Sequence, residues 1–170
     1  MFIEKSVMEV VTLEEIKLVG LSFQKLGWTN KCGKYPQMWE LLNSQHRANI
    51  KNIVQPFAAY WFWCNEPNNA DGYSYFIGGH VTDYQDVDDS LVIFTIPARK
   101  YIKHSFNADD FGKLVEDVLS ASQEKAKKWA EENGHKIVHM PESPTQAIQV
   151  YPEQELASKH PSMYTLTPIE

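Results

Sequence analysis

The sequence predicts an α+β fold in which two βαββ halves, duplicated in tandem, form one antiparallel-rich sheet with two main helices on one face and a central groove. At 170 residues the chain suits one domain with a real core, and 43% hydrophobic and 22% charged residues are ordinary globular values. Residues 11–23 align with 94–106 without a gap, and a similar order of elements follows each copy. We therefore expect a single domain over 1–170, with halves at about 6–84 and 91–170.

The first half is predicted to run strand, strand, helix, strand, strand. A short lead strand near 8–12 is followed by a β-rich segment over 16–25. Apolar residues at helical spacing then predict a helix over roughly 35–50. Two further β-rich segments, 58–64 and 73–81, flank a turn-rich stretch and complete the half.

The second half is predicted to hold a longer helix followed by two strands. Asn107 is a good N-cap for this helix, and Gly134 can supply a left-handed cap at its end. Strands are expected at 146–151 and 162–169. The helix carries an apolar stripe formed by Phe111, Leu114, Val115, Val118, Leu119, Ala126 and Trp129.

The strand at 58–64 is unusual because four large aromatic residues are consecutive in it. Side chains alternate between the two faces of a strand, so Trp61 and Trp63 share one face while Tyr60, Phe62 and Cys64 share the other. One interpretation is a core strand that is covered on both faces. The other is that one face belongs to the core and the other lines a cavity for a planar ligand.

Composition and charge exclude several classes of partner. The formal net charge is −6 with basic and acidic residues interspersed, which disfavours nucleic acids and anionic membranes. The chain has no run of about 18 apolar residues that would predict a membrane-spanning helix. Cys32 and Cys64 have no metal-ligand spacing, and two thiols in a reducing compartment are a simpler interpretation than a disulfide between them. We expect a cytoplasmic protein without a cofactor.

Other motifs in the chain do not predict a catalytic or metal site. His135 and His139 would be about 13 Å apart on a strand, too far to share one metal ion. The acidic segment 83–89 lacks the spacing of a calcium loop. The pair Gly78-Gly79 is more typical of a strand bulge than of a phosphate cradle.

Five short motifs, in order along the chain, resemble one known family. They are Met38-Trp39, Tyr75-Phe76-Ile77-Gly78, Ile96-Pro97-Ala98-Arg99-Lys100-Tyr101, Ile148-Gln149-Val150-Tyr151 and Pro168-Ile169. In this order they resemble the GyrI-like small-molecule-binding domains, also called AraC-type effector-binding domains. The resemblance spans essentially the whole chain, and its specificity comes from the order and spacing of the motifs.

The resemblance implies a tandem βαββ fold with an aromatic groove that binds hydrophobic, often cationic, organic molecules. Some members are fused to DNA-reading domains as drug-sensing transcription regulators, others stand alone, and a few hydrolyse electrophilic natural products. We expect a stand-alone member that senses or sequesters an aromatic small molecule, with no catalytic residues assigned. The ligand-binding residues predicted on this basis are Trp39, Trp61, Trp63, Tyr75, Gln149 and Tyr151.

Two of these residues are assigned to the groove by the resemblance alone. On pattern, Gln149 and Tyr151 would face solvent while the aliphatic residues between them face the core. Core packing is likewise the default expectation for Trp39 and Tyr75.

The chain departs from the family at Gln149, where relatives carry a glutamate that serves as a counter-charge or a catalytic base. An amide is neutral and both donates and accepts hydrogen bonds. Glu40 or Glu66 could replace the missing carboxylate. One alternative function is a hydrolase that uses either glutamate as its general base. Another is an acidic protein that inhibits a DNA-handling enzyme through a protein partner.

Overall fold

The computed structural model describes residues 1–29, 32–64, 74–138 and 147–170. Eight strands in these ranges form one open antiparallel sheet. The strands are β1 Ser6–Leu13, β2 Ile16–Ser22, β3 Ala58–Cys64, β4 Ser74–Val81, β5 Val92–Ile96, β6 Arg99–Asn107, β7 Ile148–Pro152 and β8 Ser162–Pro168. Their spatial order is β1-β6-β8-β7-β3-β4-β2-β5, and the predicted α+β class is confirmed.

The sheet has approximate twofold symmetry about an axis between β3 and β7. Reading the strand order from the opposite end exchanges the two halves, so that β1 takes the place of β5 and β2 that of β6. The pairing register has the same symmetry: Leu13 faces Arg99, and Ile96 faces Ile16. These two pairs are equivalent when residues 11–23 are aligned with 94–106. Each lead strand, β1 or β5, pairs with a strand of the opposite half.

Two helical segments pack against one face of this sheet. The first begins as α2, Tyr35–Leu41, and continues through a π-helical turn, Leu42–His46, and a 3-10 turn, Arg47–Asn49. In the second, a π-helical turn at Leu114–Val118 joins α3, Phe111–Lys113, to α4, Leu119–Glu132. Met38, Leu42 and Leu114 are fully buried against the sheet. The helices are α1 Phe23–Leu26, α2 Tyr35–Leu41, α3 Phe111–Lys113, α4 Leu119–Glu132 and α5 Glu153–Leu156.

The strand expected over 16–25 is shorter, because its last residues form α1. The Ser22 hydroxyl accepts a hydrogen bond from the Lys25 backbone N–H at 3.1 Å, which is an N-cap contact. Gly27 ends this helical turn in the left-handed conformation, with φ of 71°. The Ser22 cap and the left-handed Gly27 therefore specify a helical turn where β propensity alone predicted strand.

The second helical segment begins at Asp110, so the prediction that Asn107 caps it is wrong. The Asp110 carboxylate accepts a hydrogen bond from the Lys113 N–H at 2.8 Å. Asn107 is instead the last residue of β6 and holds the N-terminal segment in place. Its side-chain oxygen accepts from the Lys5 N–H at 2.8 Å, and its amide donates to the Ile3 carbonyl at 3.1 Å. This contact joins residues distant in sequence, and local patterning does not reveal it.

The glycine pair in β4 does not form the bulge expected from the sequence. Gly78 faces Gly20 on one side and Tyr60 on the other, in a register that continues unbroken through Gly79. The strands approach so closely here that a β-carbon on Gly78 would lie 2.5 Å from the Val19 carbonyl oxygen. Close packing of neighbouring backbones therefore explains the glycine pair.

Hydrophobic residues are buried on both faces of the sheet. Two clusters lie under the helical segments, and a third fills the second face, over which the sheet curls. Phe62 on β3 and Phe94 on β5 lie three strands apart, yet their ring centroids are 4.8 Å from each other. Within the described ranges, no helix is long and apolar enough to cross a membrane.

Candidate functional site

A cavity of about 580 Å³ lies between the two helical segments, above the central strands of the sheet. Its floor comes from β3, β4 and β7, and its sides come from α2 and from the segment that begins with α3. We call this cavity the aromatic groove. The structure brings together in the lining of this groove all six residues predicted from the sequence: Trp39, Trp61, Trp63, Tyr75, Gln149 and Tyr151.

The alternation of β3 explains why its consecutive aromatic residues serve two purposes. Tyr60 and Phe62 lie in the core on the second face of the sheet, with 7% and 1% of their surfaces exposed. Trp61 and Trp63 are half-buried and point to the opposite face, where they line the aromatic groove. One face of this strand is therefore core and the other borders a cavity, so the strand is not covered by core on both faces.

The aromatic side chains of the groove hold one another in place. Trp39 stacks on Trp61 with ring centroids 6.0 Å apart and planes 28° from parallel, and it meets Tyr151 edge-on at 5.1 Å. Tyr75 contacts Trp63 at 4.3 Å between centroids and Tyr35 at 4.9 Å. Such contacts restrict the rotation of these side chains.

Gln149 and Tyr151 provide the polar part of the groove. The Tyr151 hydroxyl donates a hydrogen bond to the Gln149 side-chain oxygen at 2.6 Å. Burial raises the pKa of Tyr151 well above its ordinary value, so the hydroxyl stays protonated near neutral pH. The Gln149 amide offers N–H donors as well as the oxygen that accepts from Tyr151.

The described lining of the aromatic groove carries no charged side chain. Glu40, one candidate for the missing carboxylate, is exposed on α2 and does not line the groove. Glu66, the other candidate, lies outside the described residues, as does His139 of the histidine pair. Within the described part of the chain, no three metal-ligating side chains cluster.

Four groove residues were not predicted as ligand contacts: Tyr35, Pro36, Phe111 and Val115. Tyr35 and Phe111 are the first residues of α2 and α3, and each places an aromatic ring at one mouth of the groove. Phe111 was assigned to the core stripe of its helix, but 47% of its surface is exposed. The available signal was the aromatic residue at the first position of both helical segments.

Comparison with known proteins gives one family and a set of similar folds. The profile of the Cass2 family, described as integron-associated effector binding protein, matches residues 9–165. Comparison with curated protein sequences gives no significant match.

Several solved structures share the fold at low sequence identity. The protein SAV2435, solved bound to tetraphenylphosphonium, is 14% identical with a TM-score of 0.64 over 96% of this chain and 94% of that one. The C-terminal domain of EcmrR is 14% identical with a TM-score of 0.56 over 99% of both chains. An integron cassette protein from the mobile metagenome of Vibrio cholerae is 12% identical with a TM-score of 0.54, covering 96% and 95%.

Proposed function

The chain belongs to the Cass2 family of integron-associated effector binding proteins, and on that premise we propose that it binds a hydrophobic, aromatic small molecule in the aromatic groove. The family is related to the ligand-binding domains of transcription regulators. Binding of the guest would serve sensing or sequestration, and the groove supplies stacking surfaces on several sides.

One observation supports this proposal above the others: the aromatic residues of the groove converge on a cavity of about 580 Å³. This volume lies within the range of roughly 300–1,000 Å³ that is usual for small-molecule sites. The indole rings of Trp39 and Trp61 and the phenol of Tyr151 form adjoining walls. A planar guest would gain apolar contact area with little cost in ordering the protein.

The polar part of the groove determines how strongly it discriminates between cationic and neutral guests. The neighbour SAV2435 is solved with a cationic aromatic compound, tetraphenylphosphonium. Here Gln149 is neutral, so a cation would rely on the faces of the aromatic side chains that line the groove. We expect both cationic and neutral aromatic guests to bind, with weak discrimination between them.

Titration of tryptophan fluorescence with an isosteric pair of guests tests the binding function. The pair is 1-methylquinolinium, a cation, and 1-methylnaphthalene, which is neutral. We expect saturable quenching by both, because three of the chain's five tryptophans line the groove. Trp63→Ala should raise the dissociation constants of both guests by roughly tenfold or more, because it removes one stacking surface.

A control variant separates loss of binding from loss of signal. Trp129 stacks on His135 with centroids 5.6 Å apart and does not line the groove. Trp129→Phe should therefore lower the total fluorescence and leave both dissociation constants unchanged. Absence of saturable quenching in the folded parent protein would overturn the proposed function.

The substitution Gln149→Glu tests how charge discrimination arises. A carboxylate in the groove should raise the affinity for 1-methylquinolinium relative to 1-methylnaphthalene by roughly tenfold, through attraction across a poorly hydrated site. The measurement is the ratio of the two dissociation constants in parent and variant at pH 7. An unchanged ratio would show that Gln149 does not contact the guest.

A further inference from the structure

A second, smaller cavity adjoins the aromatic groove beneath the second helical segment. It has a volume of about 260 Å³ and shares two lining residues, Val115 and Gln149, with the groove. Val115 lies in the π-helical turn that joins α3 to α4. We call this second cavity the polar chamber. A guest in the groove that extends past Gln149 would enter it directly.

The polar chamber differs from the groove in chemistry. Hydroxyl and amide groups dominate its lining, and none of the described residues that line it is charged. The Ser120 hydroxyl already donates to helix carbonyls, at 2.8 Å to Glu116 and 2.9 Å to Asp117. The polar lining residues are Ser120, Ser122, Gln123, Gln149 and Thr165.

The sheet register explains how the aromatic surface changes to a polar one. Trp61 on β3 faces Gln149 on β7, Gln149 faces Thr165 on β8, and Thr165 faces His104 on β6. Directly paired residues point to the same face of a sheet, with β-carbons about 5 Å apart. One row of side chains therefore runs from indole to amide to hydroxyl to imidazole, leading from the groove into the polar chamber.

The hydroxyl groups at the inner end of the chamber are held by a buried network. Ser122 lies 2.7 Å from His104 Nδ1 and 3.2 Å from the Thr165 hydroxyl, and His104 Nε2 lies 2.8 Å from the Ser6 hydroxyl. A neutral imidazole donates from one nitrogen and accepts at the other. Exchange of its tautomer reverses the direction of the chain, so Thr165 can present either a donor or an acceptor to the chamber.

We propose that the polar chamber binds an uncharged, hydrogen-bonding substituent, such as a carboxamide or a hydroxyl, carried by the aromatic guest. The inference rests on the function proposed above and specifies its ligand class. A charged substituent is disfavoured because no opposite charge lines the described chamber to offset its desolvation. An apolar substituent is disfavoured because it would not use the remaining hydrogen-bonding capacity of the hydroxyl and amide groups in the lining.

Three naphthalene probes, compared by calorimetry at pH 7, test the proposal. They are 2-ethylnaphthalene, 3-(2-naphthyl)propanamide and 3-(2-naphthyl)propanoate. In the parent protein the amide should bind more tightly than both others. In Thr165→Val the advantage of the amide over 2-ethylnaphthalene should fall by roughly 3- to 10-fold, the effect of one net hydrogen bond.

Matched variants separate direct contact from a structural role of the hydroxyl. Thr165→Ser keeps the hydroxyl and should keep the advantage of the amide. Thr167→Val removes a buried hydroxyl from the same strand but outside the chamber, and should also leave that advantage unchanged. Ser122→Ala removes the hydrogen-bond partner of Thr165 on α4 and should reduce the advantage of the amide as Thr165→Val does. Continued binding of 2-ethylnaphthalene shows in each variant that the groove is intact.

The outcomes distinguish this proposal from the function on which it rests. If all probes bind but Thr165→Val leaves the amide advantage unchanged, the chamber proposal is wrong and the groove function stands. Equal binding of propanoate and amide would also overturn it. If no probe binds to the folded parent protein, both proposals are wrong.

Discussion

At the scale of single residues, His104 shows how a polar side chain is accommodated in the core. Its ring is fully buried, and both nitrogens lie within hydrogen-bond distance of a serine hydroxyl, from Ser6 and Ser122. Burial, helped by the positive charge of Lys125, lowers the pKa of His104 to about 4. The imidazole is therefore neutral in the folded protein across the physiological range.

This shifted pKa predicts a pH dependence of stability. Between about pH 6.5 and pH 4 the unfolded chain binds a proton at His104 and the folded chain does not, so stability falls as the pH falls through this window. His104→Gln should flatten the fall in urea midpoint between pH 7 and pH 4.5. Burial also lowers the pKa of His80, so the matched comparison is the urea midpoint of His80→Gln over the same pH range. A slope that is unchanged in His104→Gln would contradict the assignment.

Residue roles could be predicted where they depend on local alternation. The division of Trp61 and Trp63 from Tyr60 and Phe62 follows from the period of a strand, and the structure has that division. The role of Asn107 could not be predicted, because its hydrogen bonds go to a segment about a hundred residues away in sequence. A cap residue can be recognised from the sequence only when no distant segment competes with the following helix for hydrogen bonds to its side chain.

At the scale of elements, the centre of the first half depends on close contact between β2 and β4. Gly20 and Gly78 face each other across these strands. A β-carbon on Gly20 would lie 2.0 Å from the Ile77 carbonyl oxygen and 2.4 Å from the Gly78 α-carbon. Both neighbours are backbone atoms of a central strand, so they have little freedom to move away.

The substitution Gly20→Ala should therefore destabilise the protein by roughly 1–3 kcal/mol or more, the usual cost of overpacking. The free energy of unfolding in urea measures it. Gly112→Ala is the control, because its β-carbon would meet nothing nearer than the Asp110 side chain at 3.3 Å. That variant should change stability by no more than about 1 kcal/mol. Equal losses in the two variants would argue against tight β2–β4 packing.

At the scale of the whole molecule, the internal repeat predicted most of the architecture. Aligning the repeat without a gap identifies which strands of the two halves are equivalent. The observed pairs, Leu13 with Arg99 and Ile16 with Ile96, are equivalent under that alignment. The position of the groove between the helical segments follows from the same symmetry. The polar chamber could not be predicted, because it depends on where the π-helical turn at Leu114–Val118 places Val115 relative to the sheet.

The symmetry is not carried through to the chemistry of the site. Trp61 and Gln149 face each other across the axis between β3 and β7, so equivalent positions hold an indole and an amide. Trp63 on one side corresponds to Tyr151 on the other, and both line the groove. The first half therefore contributes mainly indole and phenol rings to the groove, whereas the second half adds the amide of Gln149.

The exchange of lead strands between the halves makes the fold resemble a domain-swapped dimer whose two subunits have been joined into one chain. β1 completes the edge of the second half and β5 completes the edge of the first. Neither half can melt without removing an edge strand from the other. The connection between the halves therefore tethers an intertwined pair, and we expect unfolding to be cooperative across the full width of the sheet.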